Sequence, residues 1–225
     1  SAPRYIGRPI DRIEDPALLT GQTEFIDNVV LPRMLHCAIL RSPHAHARIR
    51  AIDTSAAEKL AGVIAVVTGA DAQRWSSPVM TVPPGWGTHC LATDKVRFVG
   101  EPVAAVAAVS RPVAEDALEL IEVDYEPLTA VADAVKALEP GSPLLFEEHG
   151  SNVMLQKLFT WGDVDAAFAS AAHVVQERFR WNRLGANPLE TFGVISQWDL
   201  VDGGLTCRGS FQAQGHMAMA RAMVF

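Results

Sequence analysis

Two uninterrupted apolar runs, Val63–Thr68 (VIAVVT) and Val103–Val109 (VAAVAAV), constrain this chain more than any other feature. Neither alternates with charged residues, and both are short, so they read as strands buried in a sheet. The surrounding sequence supplies further strands. His36–Arg41 is one, and Ala47–Ile52 is another, with Ala47, Ile49 and Ala51 opposite Arg48 and Arg50. Val96–Val99 is a short apolar strand, parted from Val103 by the turn Gly100-Glu101-Pro102. Ile121, Val123 and Tyr125 alternate with Glu122, Asp124 and Glu126, the pattern of a half-exposed strand.

Helix signals fall between these strands. Asp53-Thr54-Ser55 offers caps and Gly62 a stop, which predicts a short helix over Ser55–Ala61. Ser110 and Pro112 open a second helix, with Val113, Ala117, Leu120 and Ile121 on one face. Val131–Leu138 predicts a third. Residues 1–35 read as a turn-rich lead-in, and residues 70–95 as a loop broken by Pro78, Pro83, Pro84 and Gly85. Together these short elements predict an α+β domain over roughly residues 15–130.

Leu138–Ser151, rich in Pro, Gly and Glu, reads as a linker into a second unit. There the pattern predicts a capped helix at Asp163–Ala169 and strands at Val175–Trp181, Leu189–Trp198 and Leu205–Ser210. The aromatics Phe179 and Trp181 are expected in the core. A last helix is expected from near Gly215, with Met219, Ala220, Met223 and Val224 as its stripe. It reaches Phe225 without Gly, Asn or a basic last turn, so the second domain is expected to be truncated there.

Composition excludes several functions. The 225 residues carry a net charge of −7 with Lys and Arg scattered, so no basic stripe is present for nucleic acid. No apolar run approaches the length of a membrane span, and Ser1-Ala-Pro-Arg-Tyr lacks the parts of a signal peptide. Cys37, Cys90 and Cys207 are too few and too dispersed for an iron–sulfur or zinc site. They read as part-buried thiols of a cytoplasmic protein. Dinucleotide, P-loop and nucleophile-elbow motifs do not occur. His44 and His46 form an H-x-H without a third ligand, and read as the polar surface of a turn or strand start. Glu147, Glu148 and His149 read as a solvated loop, and Asp124 with Glu126 as a solvated strand face.

A set of ordered segments carries more. These are Tyr5-Ile6-Gly7-Arg8-Pro9 with Leu18-Leu19-Thr20-Gly21; Leu40-Arg41-Ser42-Pro43-His44-Ala45-His46-Ala47-Arg48-Ile49; Leu91 to Ala104, including Val99-Gly100-Glu101-Pro102; Val123-Asp124-Tyr125-Glu126-Pro127-Leu128; and Gly162-Asp163-Val164, Pro188-Leu189-Glu190-Thr191 and Phe211-Gln212. In this order they resemble the molybdenum hydroxylase large subunits, the xanthine dehydrogenase, aldehyde oxidase and carbon monoxide dehydrogenase-like family.

The resemblance implies an α+β chain in which an a/b hammerhead domain is followed by the beginning of a molybdopterin-binding domain. The divisions expected are a lead-in over 1–14, the hammerhead over 15–130, a linker over 131–152, and the start of the first molybdenum-cofactor domain over 153–225. It also implies an oxidoreductase that hydroxylates an aldehyde, an N-heterocycle or a similar small substrate with oxygen from water. The cofactor would be molybdenum on molybdopterin, in the cytosine dinucleotide form, bound mostly by residues outside this chain. Electrons would leave through [2Fe–2S] clusters and FAD. The implied partners are the remainder of the large subunit or a second molybdenum-binding chain, an iron–sulfur small subunit and an FAD medium subunit, in a dimer of heterotrimers.

One site residue carries over by resemblance. Gln212, in Ser210-Phe211-Gln212-Ala213, would hydrogen-bond the apical oxo ligand of the metal. The Gly-rich segment and the general-base Glu of the family would lie beyond Phe225, so this chain alone is expected to be inactive. The alternative is a non-catalytic module that docks the iron–sulfur or flavin subunits.

Overall fold

A computed structural model describes residues 5–78, 82–182, 184–210 and Gly215. In chain order the elements are α1 (Asp15–Leu19), β1 (His36–Arg41), β2 (Ala47–Asp53), α2 (Ser55–Glu58), β3 (Val63–Thr68), α3 (Gly69–Ala72), β4 (Lys95–Val96), β5 (Pro102–Ala108), α4 (Arg111–Leu118), β6 (Glu122–Pro127), α5 (Val164–Ser170), β7 (Val194–Trp198) and β8 (Leu205–Gly209). They divide into two units. One draws on the described residues of Ser1–Pro32 and Trp181–Gln214, the other on those of Arg33–Arg180 and Gly215–Phe225.

The larger unit holds two antiparallel three-stranded sheets, ordered β1-β5-β3 and β4-β2-β6. The run at 103–109 becomes the central strand β5, paired with β1 on one side and β3 on the other. Its Ala104, Val106 and Ala108 are fully buried. Ala104 and Val106 pack in one core with Ala57 of α2, Ala117 of α4 and Ile121. Val103, on the opposite face of the strand, joins a second core with Ala47, Ala92 and Val96. Ile52 and Val123 touch both cores, so the two sheets share one apolar interior.

The helix over this sheet forms as its sequence predicts. The Ser110 hydroxyl accepts from the Val113 amide, and a proline stands in the first turn. Small residues at Ala114 and Ala117 are wholly buried, which brings the helix close to the equally small face of β5. Gly100 takes φ +90° in the turn before β5, a conformation that favours glycine. Beside it the Glu101 side chain turns inward, is 4% exposed, and accepts from the Arg97 amide.

Several expectations need correction. Val63–Thr68 is an edge strand rather than a buried one: β3 pairs with β5 alone, and Ile64 is 60% exposed. The apolar strand at 96–99 shrinks to Lys95–Val96, because Phe98 and Val99 point into solvent at the turn. Val131–Leu138 yields only a 3-10 turn at Lys136–Leu138. The helix α3 was not foreseen within the loop region. It starts on Gly69 because the Thr68 and Asp71 side chains close a reciprocal cap. Val175–Trp181 forms no strand, and Phe179 and Trp181 are 75% and 81% exposed. Alternation alone made no strand there. The three cysteines are exposed.

The smaller unit is sparse. Its one sheet among the described residues is the β7–β8 hairpin, paired Val194↔Gly209 through Trp198↔Leu205. The strand expected from Leu189 starts only at Val194. The expected final helix lies outside the described residues, Gly215 excepted. Among the described residues, no helix is long and apolar enough to cross a membrane.

Candidate functional site

The only site residue expected from the sequence, Gln212, lies outside the described residues, two positions after Ser210. What leads to it is well defined. Ser210 closes the open end of the β7–β8 hairpin: its amide donates to the Gly193 carbonyl at 3.3 Å, and its hydroxyl donates to the Thr191 carbonyl at 3.1 Å. The same hydroxyl accepts from the Gly193 amide at 3.3 Å. One small side chain thus ties β8 to the segment that enters β7.

That segment is fixed in turn. The Glu190 carboxylate accepts from the Ile26 amide at 3.0 Å, 164 residues earlier in the chain. Ile26 also lies over Gly193, where an added Cβ would fall 2.5 Å from its Cγ2. Residues 191, 193 and 210 therefore form a locked corner of neutral hydrogen-bonding groups. Residues 204–225 contain no Asp or Glu. A neutral amide donor at position 212 fits this acid-free strand exit, and a cofactor carrying its own metal ligands would need no protein carboxylate there. Among the described residues, no group of three or more His, Cys, Asp or Glu could hold a metal ion.

In the larger unit, the segment read as a solvated loop is instead a clasp. The Glu147 carboxylate pairs with Arg48 on β2 at 3.2 Å and with Lys95 on β4 at 3.7 Å. Lys95 is 2% exposed, so the carboxylate compensates a nearly buried cation. The His149 ring stacks on Trp86 with centroids 4.2 Å apart, and its Nε2 lies 3.1 Å from the Gly85 carbonyl. The Arg97 guanidinium covers the Phe146 ring at 4.5 Å. Asn152 fastens the same segment to itself: it donates to the carbonyls of Ala137 and Pro143 and accepts from the Leu145 amide. Spacing gave no sign of the contacts of Arg48, Arg97 and His149, whose partners lie 48 to 99 residues away.

The H-x-H does not converge. His46 is 5% exposed rather than on the surface, its Nδ1 2.8 Å from the Thr129 carbonyl, while the His44 ring meets Tyr125 edge-on. Of the strand carboxylates, Glu126 pairs with Arg50. Burial pushes the Glu101 carboxyl above its ordinary range, although the Arg97 amide and charge pull it back.

Comparison with known proteins gives these features a family. Residues 20–129 match the model described as "Aldehyde oxidase and xanthine dehydrogenase, a/b hammerhead domain". Residues 145–225 match the molybdopterin cofactor-binding domain. The chain is 42% identical to the carbon monoxide dehydrogenase large chain of Afipia carboxidovorans over 90% of its own length. It is 36% identical to the nicotine 6-hydroxylase large subunit of Paenarthrobacter nicotinovorans over 97%. It spans 27% of the length of each. Its structure is similar to that of quinoline 2-oxidoreductase from Pseudomonas putida 86, with a TM-score of 0.83 and 39% identity over 97% of this chain and 29% of that one. From the hammerhead match through the molybdopterin-domain match, the chain belongs to the molybdenum hydroxylase family of xanthine dehydrogenases and aldehyde oxidases.

Proposed function

We propose that this chain contributes to the molybdenum-cofactor subunit of a cytoplasmic hydroxylase acting on an aldehyde, an N-heterocycle or a similar small molecule. The net change is R–H plus water giving R–OH, two protons and two electrons. Molybdenum on a molybdopterin, in the cytosine dinucleotide form, would take up those electrons when bound. They would pass to [2Fe–2S] and FAD partner subunits in a dimer of heterotrimers. The names of two relatives, a nicotine 6-hydroxylase and a quinoline 2-oxidoreductase, favour an N-heterocycle. Within the chain, the layout is a lead-in over 1–14, the hammerhead over 15–130, a linker over 131–152 and the first part of the cofactor domain from 153.

The role proposed for Gln212 is to donate its amide N–H to the metal's oxo ligand, adding no charge. The observation that carries it is the locked corner: Ser210 bound to Thr191 and Gly193 gives the following residues a rigid point of departure. Orientation by such a neighbouring donor is worth about 10–100-fold in metal affinity or activity. A Gln212→Ala variant of the complete enzyme should therefore lose about that much turnover while keeping its fold. Unchanged turnover removes the role. Elemental analysis of the complex purified from molybdate-grown cells tests the function as a whole, and absence of molybdenum counts against it.

A further inference from the structure

The acid in the segment that enters β7 is turned inward. Of residues 184–192, Glu190 alone is half-buried, while Leu189 and Phe192 beside it stand in solvent. Burial of apolar area does not account for that choice, and a hydrogen bond does. The Glu190 carboxylate accepts from the Ile26 amide at 3.0 Å. Among the described residues it forms no ion pair, so its charge is directed at that backbone N–H.

Ile26 opens the 3-10 turn Ile26–Asn28, and its amide is one of the N–H groups that a turn cannot satisfy internally. The Phe25 amide is already taken by the Asn28 side chain at 3.2 Å. Glu190 thus caps, from 164 residues away, the one turn of the N-terminal lead-in that crosses its segment. The turn is seated at a second point, because the Ile26 side chain lies over Gly193 with no room for a Cβ between them. Between and at these two contacts stand Thr191 and Gly193, the residues that bind Ser210. Gly193 is therefore held by the strap of residues 25–28 on one side and by Ser210 on the other.

The rest of the lead-in agrees with this placement. The described residues of Ser1–Pro32 cluster with those of Trp181–Gln214, not with the sheets that follow them in sequence. The family models divide the chain differently. The hammerhead match begins at residue 20 and the molybdopterin-domain match at 145, so neither assigns Ile26 to the cofactor domain.

We propose that Glu190 is a positioning residue for Gln212: by holding the strap at Ile26 against Gly193, it fixes the corner from which Gln212 departs. The inference rests on the proposed function. It adds the N-terminal lead-in to the parts on which that site depends.

The complete large subunit, assembled with its partners and purified from cells grown with and without molybdate, tests this. Without the metal, Glu190→Ala should speed amide hydrogen exchange at Gly193 and Ser210 at least about tenfold. Glu190→Gln keeps an oxygen that can accept, and should leave both amides slow. With the metal, Glu190→Ala should lower kcat and kcat/KM together about tenfold at full molybdenum content, and Glu190→Gln should restore most of that loss. Because Glu190 acts through Gln212, it should cost nothing further in a Gln212→Ala background. A further loss of similar size there overturns the role. Corner exchange untouched by Glu190→Ala overturns it too, as does a Glu190→Gln variant as impaired as the alanine one.

Where Glu190→Ala fails to assemble, Ile26→Pro removes the donor instead. Proline suits the first position of the turn, and Phe25 already has the extended backbone (φ −87°, ψ 160°) that precedes proline well. Ile26→Pro should loosen the corner and slow turnover more than Ile26→Ala, which keeps the N–H; equal effects are a contrary result. Full turnover of Glu190→Ala beside an impaired Gln212→Ala defeats the positioning role alone. Full turnover of Gln212→Ala, or a parent without molybdenum from molybdate-grown cells, defeats the proposed function on which that role rests.

Discussion

Two stretches of this chain carry many large apolar residues and use them in opposite ways. Between His36 and Pro127 they pack: Val96, Val103 and Val106 are fully buried, and Leu40, Ile52, Val66 and Val123 close around them. Between Leu158 and Leu189 they do not. Leu158, Phe159, Trp161, Phe179, Trp181, Leu184 and Leu189 are all more than 70% exposed. The difference lies in partners rather than in composition. In the first stretch, β5 has a strand on each side, α4 over one face and a second sheet's core at the other. In the second, the chain runs largely without secondary structure, and these side chains stay mostly in solvent among the described residues.

The sharpest way to break this comparison is to put the same charge into both stretches. Val106→Asp buries a carboxylate among Ala104, Ala117 and Ile121, with no cation in that core. An uncompensated buried charge of this kind should cost more than about 4 kcal/mol and unfold the two-sheet unit. Leu158→Asp, at a position 90% exposed, should change the urea midpoint by less than about 0.5 kcal/mol equivalent in the chain alone. Equal damage from the two would show that the exposed stretch is packed after all.

A second substitution measures how tight the packed stretch is. A Cβ built on Gly69 would fall 2.1 Å from the Ala92 carbonyl oxygen and 2.7 Å from its carbon. Backbone cannot step aside as a side-chain tip can. Gly69→Ala should destabilise the unit by about 1–3 kcal/mol in chemical denaturation. A neutral result would mean that the loop at 89–94 yields, and that tightness does not extend beyond β5.

The same contrast explains what the sequence disclosed. β1 is found at His36–Arg41 as expected, β2 one residue longer than expected, and the Ser110 cap is where the Ser-x-Pro pattern puts it. These elements follow local rules of alternation, capping and glycine stops, and tertiary packing agrees with them. The errors fall where local rules lack that support. Val175–Trp181 alternates like a strand but pairs with no strand among the described residues, and β3 reads as interior yet stands at an edge. The clasp of Glu147, Lys95 and Arg48 and the Ser210 corner join residues far apart or rest on single hydroxyls, so no spacing reveals them. Gln212 itself became a candidate only through resemblance.

The smallest expected effect concerns a cap inside the packed stretch, and its dependence on pH has a definite sign. Thr68 donates its amide and its hydroxyl to Asp71 Oδ2, at 3.0 and 2.7 Å. These bonds, the amide's first, hold the Asp71 carboxyl below its usual range. A carboxyl lowered on folding stabilises the fold fully above its unfolded pKa, about 3.9, and loses that contribution as pH falls through the lower folded value. Asp71→Asn keeps an oxygen that can accept but loses the charge, so it should cost about 0.5–1 kcal/mol at pH 7. Because Asn does not titrate, the gap between variant and parent should narrow as pH falls below about 4. Denaturation midpoints for both proteins at pH 7, 4 and 3 measure it. A gap unchanged across that range would show that Thr68 depends on the shape of the side chain and not on its charge.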